Sequence, residues 1–146
     1  MDLKKKNVLV FGTGLSGIGA AVLLHKTGAN PILYDGNEKT DPEEVKKKLG
    51  EGVEAEIIIG ELPGQVIDSL DLAVLSPGVP TDLPLVQLMR KRDVPGWGEV
   101  ELAYENSKGD VLAITGTNGK TTTTSLLGEI MKVHQESVFV VGNIGT

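Results

Sequence analysis

A short apolar run that leads into three regularly spaced glycines is the feature that most constrains this fold. Residues 7–11, NVLVF, form a short, largely apolar run with β-branched Val8 and Val10, which predicts a strand buried on both faces. Gly12, Gly14 and Gly17 follow in the G-x-G-x-x-G spacing and open a helical pattern. Glycines let the backbone approach a ligand closely, and a helix N-terminus offers free N–H groups to an anion. The pattern therefore favours a nucleotide-like ligand over glycines that serve only a tight turn.

Apolar runs and helical patterns alternate along the first two thirds of the chain. This β-α alternation predicts an α/β fold with a Rossmann-like parallel sheet and helices on its faces. Thr40 or Asp41 is expected to cap the second helix, and ligands are expected beyond the carboxyl ends of the strands. The predicted strands are 7–11, 31–35, 55–60, 71–76 and a short one near Val94; the predicted helices are 17–28, 40–50 and 83–92.

The pattern restarts after a stretch rich in proline and glycine. Pro95, Gly96 and Gly98 indicate a linker at 94–98 between a domain at 1–93 and a second domain that begins at 99. The second part predicts a short helix, a strand at 111–115, a helix at 120–133 and a strand at 137–142. One strand–helix–strand unit cannot bury both faces of a sheet. We therefore expect residues 99–146 to be the start of a P-loop α/β ATPase domain, and the chain to be a fragment.

A second glycine loop, GTNGKTT at 116–122, lies between the strand predicted at 111–115 and a helix. Lys120 can reach the β- and γ-phosphates of a nucleotide triphosphate, and Thr121 can offer its hydroxyl to Mg²⁺. The strict G-x-x-x-x-G-K-[ST] pattern fails because Ile114 stands where it requires glycine. The loop is thus predicted to be a shortened phosphate cradle in which backbone N–H groups surround the phosphate oxygens.

Composition excludes several classes of function. The net charge of −6 argues against a nucleic-acid binder, and the absence of cysteine excludes disulfides and thiolate metal sites. His25 and His134 are isolated and are expected to be ordinary helix-surface residues. The glycines after the first apolar run argue against a signal peptide, and no 18-residue apolar segment follows. We expect a cytoplasmic protein without a membrane partner.

The first glycine loop by itself also fits an NAD-dependent oxidoreductase. Asp35 ends the second predicted strand, 18 residues after Gly17, close to the position of a ribose-binding acid. A dehydrogenase has no need for a G-K-T-T loop about 100 residues further on. The second loop therefore disfavours the oxidoreductase, while a non-enzymatic nucleotide sensor remains an alternative.

Both loops together resemble the Mur ligases, the ATP-dependent amide-bond ligases that build the peptidoglycan precursor. The resemblance spans essentially the whole chain, and GTNGKTT is the motif most specific to the superfamily of Mur and folylpolyglutamate ligases. It favours the branch that adds D-glutamate to UDP-N-acetylmuramoyl-L-alanine, with a sister ligase as the alternative. The matching segments are FGTGLSGIGAA (11–21), VLSPGVP (74–80), GEVELAY (98–104), AITGTNGKTTTTSLLGEIM (113–131) and GNIGT (142–146).

The resemblance implies a role for each matching residue. The first domain would hold the UDP part of the substrate rather than NAD, with Asp35 at the uracil. Gly36 stands where some members carry threonine, so a side-chain contact there is lost. The implied substrate-binding residues are Gly14, Leu15, Ser16, Asp35, Gly36, Ser76, Pro77, Gly78 and Asn143. The implied ATP-binding residues are Gly116, Thr117, Asn118, Gly119, Lys120, Thr121 and Thr122.

The resemblance also implies a reaction. The substrate carboxylate would attack the γ-phosphate of ATP, and the amine of D-glutamate would then displace phosphate from the acyl phosphate. Lys120 and Thr121 would be the catalytic residues, with Thr121 beside Mg²⁺. Because the other parts of the site in this family would lie beyond residue 146, we expect the 146-residue chain to be a monomer that binds but does not catalyse.

Overall fold

The computed structural model describes residues 1–142 and divides the chain into two compact units. Unit 1 is Met1–Lys108 and contains a complete parallel sheet with its helices. Unit 2 is Gly109–Thr146, and its described residues contain one helix.

The sheet of unit 1 has five strands in the order β3-β2-β1-β4-β5, and each adjacent pair is parallel. Each connection from one strand to the next therefore crosses a face of the sheet through a helix. This arrangement confirms the predicted Rossmann-like α/β fold. The strands are β1 Asn7–Phe11, β2 Asn30–Asp35, β3 Glu56–Ile59, β4 Leu72–Leu75 and β5 Gly96–Gly98.

Within residues 1–142, six helices accompany the strands. The sequence predicted all of them except α3, which has five residues and too little length to show a helical period. The helices are α1 Leu15–Lys26, α2 Pro42–Leu49, α3 Gly64–Asp68, α4 Pro84–Lys91 and α5 Glu99–Glu105 in unit 1, and α6 Lys120–His134 in unit 2.

The core of unit 1 has two halves, one on each face of the sheet. Alternate residues of β1 belong to different halves, since Val8 and Val10 pack with Leu24 of α1 whereas Leu9 packs with Met89 of α4. Each of these strand residues is fully buried, as expected for a strand covered on both sides. The two halves make unit 1 a three-layer α/β/α structure.

The boundary between the two compact units lies further along the chain than the predicted domain boundary. Residues 94–98 were expected to be a linker, but Gly96–Gly98 form β5 and pair with β4 from Ala73 to Leu75. Helix α5 also belongs to unit 1, because Leu102 is buried in its core. Unit 1 therefore extends to Lys108 instead of ending at 93. Glycine and proline had suggested a linker, yet an edge strand tolerates glycine within it and proline just before it, as at Pro95.

The two strands predicted in unit 2 are also absent from the described residues. Segments 111–115 and 137–142 have no strand pairing within residues 1–142. Their apolar side chains are exposed, for example Leu112 at 59% and Phe139 at 83%. A strand needs neighbouring strands to satisfy its backbone N–H and C=O groups, and the described part of unit 2 contains none.

Candidate functional site

The carboxyl ends of β1, β2 and β4 bring three loops together in unit 1. The N–H of Gly12 donates to the carbonyl of Tyr34 at 2.8 Å, which joins the first loop to the end of β2. The N–H of Ser76 donates to the carbonyl of Phe11 at 3.2 Å, which joins the loop after β4 to the end of β1. The predicted ligand loops therefore meet at one edge of the sheet, where ligands of parallel α/β folds bind.

Two of the three glycines around the turn between β1 and α1 lie too close to other atoms to carry a side chain. Gly12 has φ +117°, and a Cβ added there would lie 2.8 Å from Ser76 Oγ. A Cβ on Gly17 would overlap the carbonyl oxygen of Gly12. Gly14, by contrast, is the N-cap of α1 and has open space around it. The first and third glycines of the motif are thus required by packing, and the second leaves room beside the helix N-terminus.

The N-terminus of α1 faces solvent with an apolar residue beside it. Leu15 is 93% exposed and Ser16 is exposed as well. The first turn contains no acidic residue, so no carboxylate of its own competes for the free N–H groups. An anion can therefore approach the helix end, with Leu15 available as an apolar contact for the rest of a ligand.

Asp35, at the end of β2, is held by the protein through both carboxylate oxygens. Thr13 Oγ1 donates to Asp35 Oδ2 at 2.6 Å, and the N–H of Asn37 donates to Asp35 Oδ1 at 2.9 Å. Asp35 is half-buried, whereas Gly36 next to it is exposed. Sequence reasoning named Asp35 and missed Thr13, because nothing in the G-x-G spacing marks the residue between the glycines as a partner of β2.

Tyr34 supports the same strand end from the other face of the sheet. Its hydroxyl donates to the carbonyl of Gly60 at 2.9 Å, and its ring packs edge-on against Phe11 with 4.9 Å between centroids. Burial, with Asp35 and Glu61 nearby, raises the pKa of Tyr34 above its usual value of 10.0. The phenol therefore stays neutral and a hydrogen-bond donor in the ordinary pH range.

The loop after β4 is tied to helix α5. Ser76 Oγ donates to Glu99 Oε1 at 2.6 Å, while Pro77 and Gly78 are exposed. Glu99 is a residue that sequence reasoning missed, since it lies 23 positions from Ser76 and outside every phosphate-loop pattern. The single proton of the Ser76 hydroxyl is given to Glu99, so free donors at this loop come from the backbone.

Two cavities open on unit 1. One of about 400 Å³ lies beside Thr13 and Gly14 and extends between Asn37, Lys39 and Lys48. A larger one of about 830 Å³ lies at the opposite end of the strands, beside Asn7, Asn30 and the N-terminus of α2. We place the candidate site at the smaller cavity's end of the sheet, because the glycine turn and Asp35 are there.

In the glycine loop of unit 2, backbone carbonyl groups hydrogen-bond the side chain of Lys120. Gly119 is the left-handed N-cap of α6, with φ +74°, and Gly116 has φ +152°. Lys120 Nζ donates to the carbonyl oxygens of Gly116 at 2.5 Å and Thr117 at 3.3 Å. The lysine ammonium thus lies against the loop that precedes its helix, and the loop residues are exposed. This geometry fits a phosphate cradle, since an incoming anion would replace carbonyl oxygens as the partner of the ammonium.

The remaining sequence predictions concern Asn143, the histidines, metal sites and membrane-spanning helices. Asn143 lies outside the described residues. His25 is a surface residue of α1 whose Nδ1 accepts from the N–H of Glu54 at 3.4 Å. Within residues 1–142 no cluster of three or more histidine or acidic side chains could hold a metal ion. No helix in that described range is long and apolar enough to span a membrane.

The family described as Mur ligase MurD-like, N-terminal domain, matches residues 6–98. Two similar relatives are each called UDP-N-acetylmuramoylalanine--D-glutamate ligase. The protein of Lachnospira eligens is 57% identical and that of Lachnoclostridium phytofermentans 55% identical, each over 99% of this chain. The chain spans only 32% of the length of these relatives.

Solved structures resemble the chain at the level of fold. A pseudomurein peptide ligase type C from Methanothermus fervidus has a TM-score of 0.56 at 24% identity, covering 88% of this chain and 26% of its own. A murein peptide ligase from Psychrobacter arcticus has a TM-score of 0.58 at 21% identity, covering 88% and 27%. At these identities the likeness supports the α/β fold alone.

Proposed function

The chain belongs to the Mur ligase family through its MurD-like N-terminal domain, and from this premise we propose that it carries the substrate-binding part of a D-glutamate-adding ligase. The proposed reaction joins D-glutamate to UDP-N-acetylmuramoyl-L-alanine at the expense of ATP. The observation that carries the proposal is the 57% identity, over 99% of the chain, to a relative named for that activity. We further propose that the protein acts in the cytoplasm, as a monomer, in peptidoglycan synthesis.

Unit 1 is proposed to bind the UDP moiety at the carboxyl edge of its sheet. Asp35 would accept from a neutral N–H or O–H donor of the nucleoside, because a carboxylate repels phosphate. The diphosphate would lie near Gly14, Leu15 and Ser16, where the first turn of α1 offers N–H groups without a competing acid. Gly36 would contribute backbone alone, and the loop Ser76, Pro77 and Gly78 would flank the ligand on the side of β4.

Unit 2 is proposed to bind the phosphates of ATP with residues 116–122. Lys120 would neutralise charge on the transferring phosphoryl group, and the Thr121 hydroxyl would be a ligand of Mg²⁺. The metal would stabilise the charge of the ATP phosphates. The loop's exposed residues and the position of Lys120 against its carbonyl oxygens support this role. Asn143 is kept as a proposed substrate contact from the sequence alone.

Chemistry in the proposed ligase would proceed through an acyl phosphate, which the amine of D-glutamate attacks. We propose that the 146-residue chain binds without catalysing, because it spans only 32% of the length of a relative named for the complete activity. Formation of the D-glutamyl product by this purified chain would contradict that part of the proposal.

Calorimetric titration of the chain with UDP-N-acetylmuramoyl-L-alanine, and separately with NAD, tests the proposed substrate. Asp35→Ala should weaken the UDP-containing substrate by about tenfold or more, since hydrogen bonds to charged groups contribute about 1.5–3 kcal/mol. Asp68→Ala is the matched control, because Asp68 is an exposed carboxylate on α3 that pairs with Arg92. Binding of NAD in place of the UDP-containing substrate would overturn the proposal in favour of an oxidoreductase.

Steady-state kinetics of a ligase that contains this chain tests the proposed ATP loop. Lys120→Ala should lower kcat by about a hundredfold or more, because a charge that stabilises the transition state is removed. Lys132→Ala is the control, since Lys132 lies in the last turn of the same helix and pairs with Glu129 at 2.6 Å. Near-normal turnover in Lys120→Ala would remove Lys120 from the mechanism.

A further inference from the structure

Thr13 is buried, at 8% exposed, although its side chain carries a polar hydroxyl group. It lies between Gly12 and Gly14 in the turn that connects β1 to α1. Burying a hydroxyl costs free energy unless the hydroxyl is hydrogen-bonded. The hydrogen-bond partner of Thr13 therefore indicates what this residue does. That partner is Asp35 on the neighbouring strand, 22 positions along the chain.

The contact joins two loops that are proposed to touch the ligand. Thr13 Oγ1 lies 2.6 Å from Asp35 Oδ2, a short distance typical of a hydroxyl that donates to a carboxylate. The N–H of Asn37 holds the other oxygen at 2.9 Å. With both oxygens held by donors from different loops, the plane of the carboxylate is fixed before a ligand arrives.

We propose that Thr13 is a positioning residue that aims the Asp35 carboxylate at the nucleoside of the UDP-containing substrate; the inference rests on the proposed function. Thr13 itself would not contact the ligand, because it is buried and its only proton is given to Asp35. Each carboxylate oxygen retains a second acceptor position, which would be available to a donor of the nucleoside. Without Thr13, the side chain of Asp35 must be ordered when the ligand binds, and affinity falls.

The threonine-to-valine exchange separates the hydroxyl from the shape of the residue. In Thr13→Val the dissociation constant for UDP should rise about tenfold, the effect of losing one hydrogen bond to a charged group. Thr13→Ser keeps the hydroxyl and should stay within about twofold of the unsubstituted chain, because its proton can still reach Asp35. UDP is the probe, and the dissociation constants are measured by calorimetry on the whole chain.

A second probe distinguishes positioning from a loosened turn. Inorganic pyrophosphate would occupy the anion end of the site, near the N-terminus of α1, and would not reach Asp35. Thr13→Val should therefore weaken UDP and leave the weaker binding of pyrophosphate, followed by NMR titration, within about twofold. Equal losses for both probes would mean that Thr13 only supports the turn, and would overturn the proposal.

A control variant matched to Thr13→Val shows whether a general loss of stability could weaken UDP binding. Thr27→Val also removes one threonine hydroxyl with one hydrogen bond, here to the carbonyl of Leu24 at 2.7 Å at the end of α1. It should leave the dissociation constant for UDP unchanged. If Thr13→Val does not fold, as judged by circular dichroism, the smaller Thr13→Ala takes its place with the same expectations.

A double-mutant cycle decides whether Thr13 acts through Asp35. Once Asp35 is replaced by alanine, adding Thr13→Val should cause no further loss of UDP affinity, because the group that Thr13 orients is gone. Additive losses would overturn the proposal. Should Asp35→Ala weaken UDP while Thr13→Val does not, the positioning role fails and the proposed function stands. Failure of the unsubstituted chain to bind UDP would instead overturn the proposed function, and this inference with it.

Discussion

Two glycines two residues apart in α1, Gly17 and Gly19, differ in how closely other atoms surround them. A Cβ on Gly17 would overlap the backbone carbonyl of Gly12, which cannot move without displacing β1. A Cβ on Gly19 would meet nothing within 4 Å, and that position is an exposed helix site. The same substitution is therefore expected to have opposite effects on stability at the two positions.

Gly17→Ala should lower the free energy of unfolding by about 2–4 kcal/mol, since the overlap forces the helix away from the sheet. Gly19→Ala should raise it by up to about 1 kcal/mol, because alanine is the better helix former. Urea denaturation of both variants measures the difference. Similar changes in the two variants would contradict the close packing at Gly17.

Single residues also show where sequence reasoning ends. Gly12, Gly17 and Asp35 could be predicted because each occupies a fixed place in a local pattern. Thr13 and Glu99 could not, since their importance depends on partners 22 and 23 positions away that only the folded sheet brings close. Side-chain pairs between loops carry no periodic signal in the sequence.

At the scale of elements, helix α2 resolves an ambiguity in the sequence. Thr40 and Asp41 were both candidates for its N-cap, and the structure selects Asp41, whose carboxylate accepts from the N–H of Glu43 at 2.9 Å. Pro42 opens the helix and Gly50, with φ +84°, follows its end. These local signals explain why the bounds of α2 could be predicted closely.

Asp41→Ala should lower the free energy of unfolding by about 1 kcal/mol, the usual loss for a removed N-cap. Thr40→Ala, at the adjacent position, should change it by less than about 0.5 kcal/mol, because Asp41 is the residue that caps the helix. Thermal unfolding followed by circular dichroism compares the two. A larger loss in Thr40→Ala would reverse the assignment of the cap.

Elements whose formation depends on distant partners could not be predicted with the same success. The short strand predicted near Val94 forms two residues further on as β5, inside the segment expected to be a linker, and its residues Gly-Trp-Gly contain no alternating pattern that could fix its bounds. Segments 111–115 and 137–142 have strong strand composition, yet composition does not supply a pairing partner. Strand propensity shows only that the side chains suit a β-sheet. Whether the strand forms depends on hydrogen-bonded pairing with a neighbouring strand.

At the scale of the whole molecule, one carboxylate joins parts of unit 1 that are far apart in sequence. Asp71 accepts from Lys6 Nζ at 2.7 Å and from the N–H of Asn7 at 2.9 Å, so the starts of β1 and β4 are held together. The hydrogen bond from Lys6, with that from Asn7, holds the pKa of Asp71 below its usual value of 3.8. The native state therefore favours the ionised carboxylate more than the unfolded state does.

Because the folded pKa is lowered, the contribution of Asp71 to stability is present above the unfolded pKa and is lost as pH falls through the folded pKa. Asp71→Asn should lower the free energy of unfolding by about 0.5–1.5 kcal/mol at pH 7, and the difference should shrink below about pH 4. Lys91→Gln, at an exposed position of α4, should show no such trend. Urea denaturation at several pH values measures both, and a constant difference in Asp71→Asn would contradict the pairing.

The hydrogen bond from Ser76 to Glu99 limits which groups in the loop after β4 can donate to a ligand. A hydroxyl has one proton to give, and a phosphate oxygen arriving at Ser76 would have to compete with a carboxylate that already holds it. If the phosphate oxygen accepted the Ser76 proton instead, the Glu99 carboxylate would lose this hydrogen bond and lie beside a second negative charge. Whether the Ser76 hydroxyl can donate to an anion therefore depends on Glu99, the first residue of α5, which lies 23 positions further along the chain.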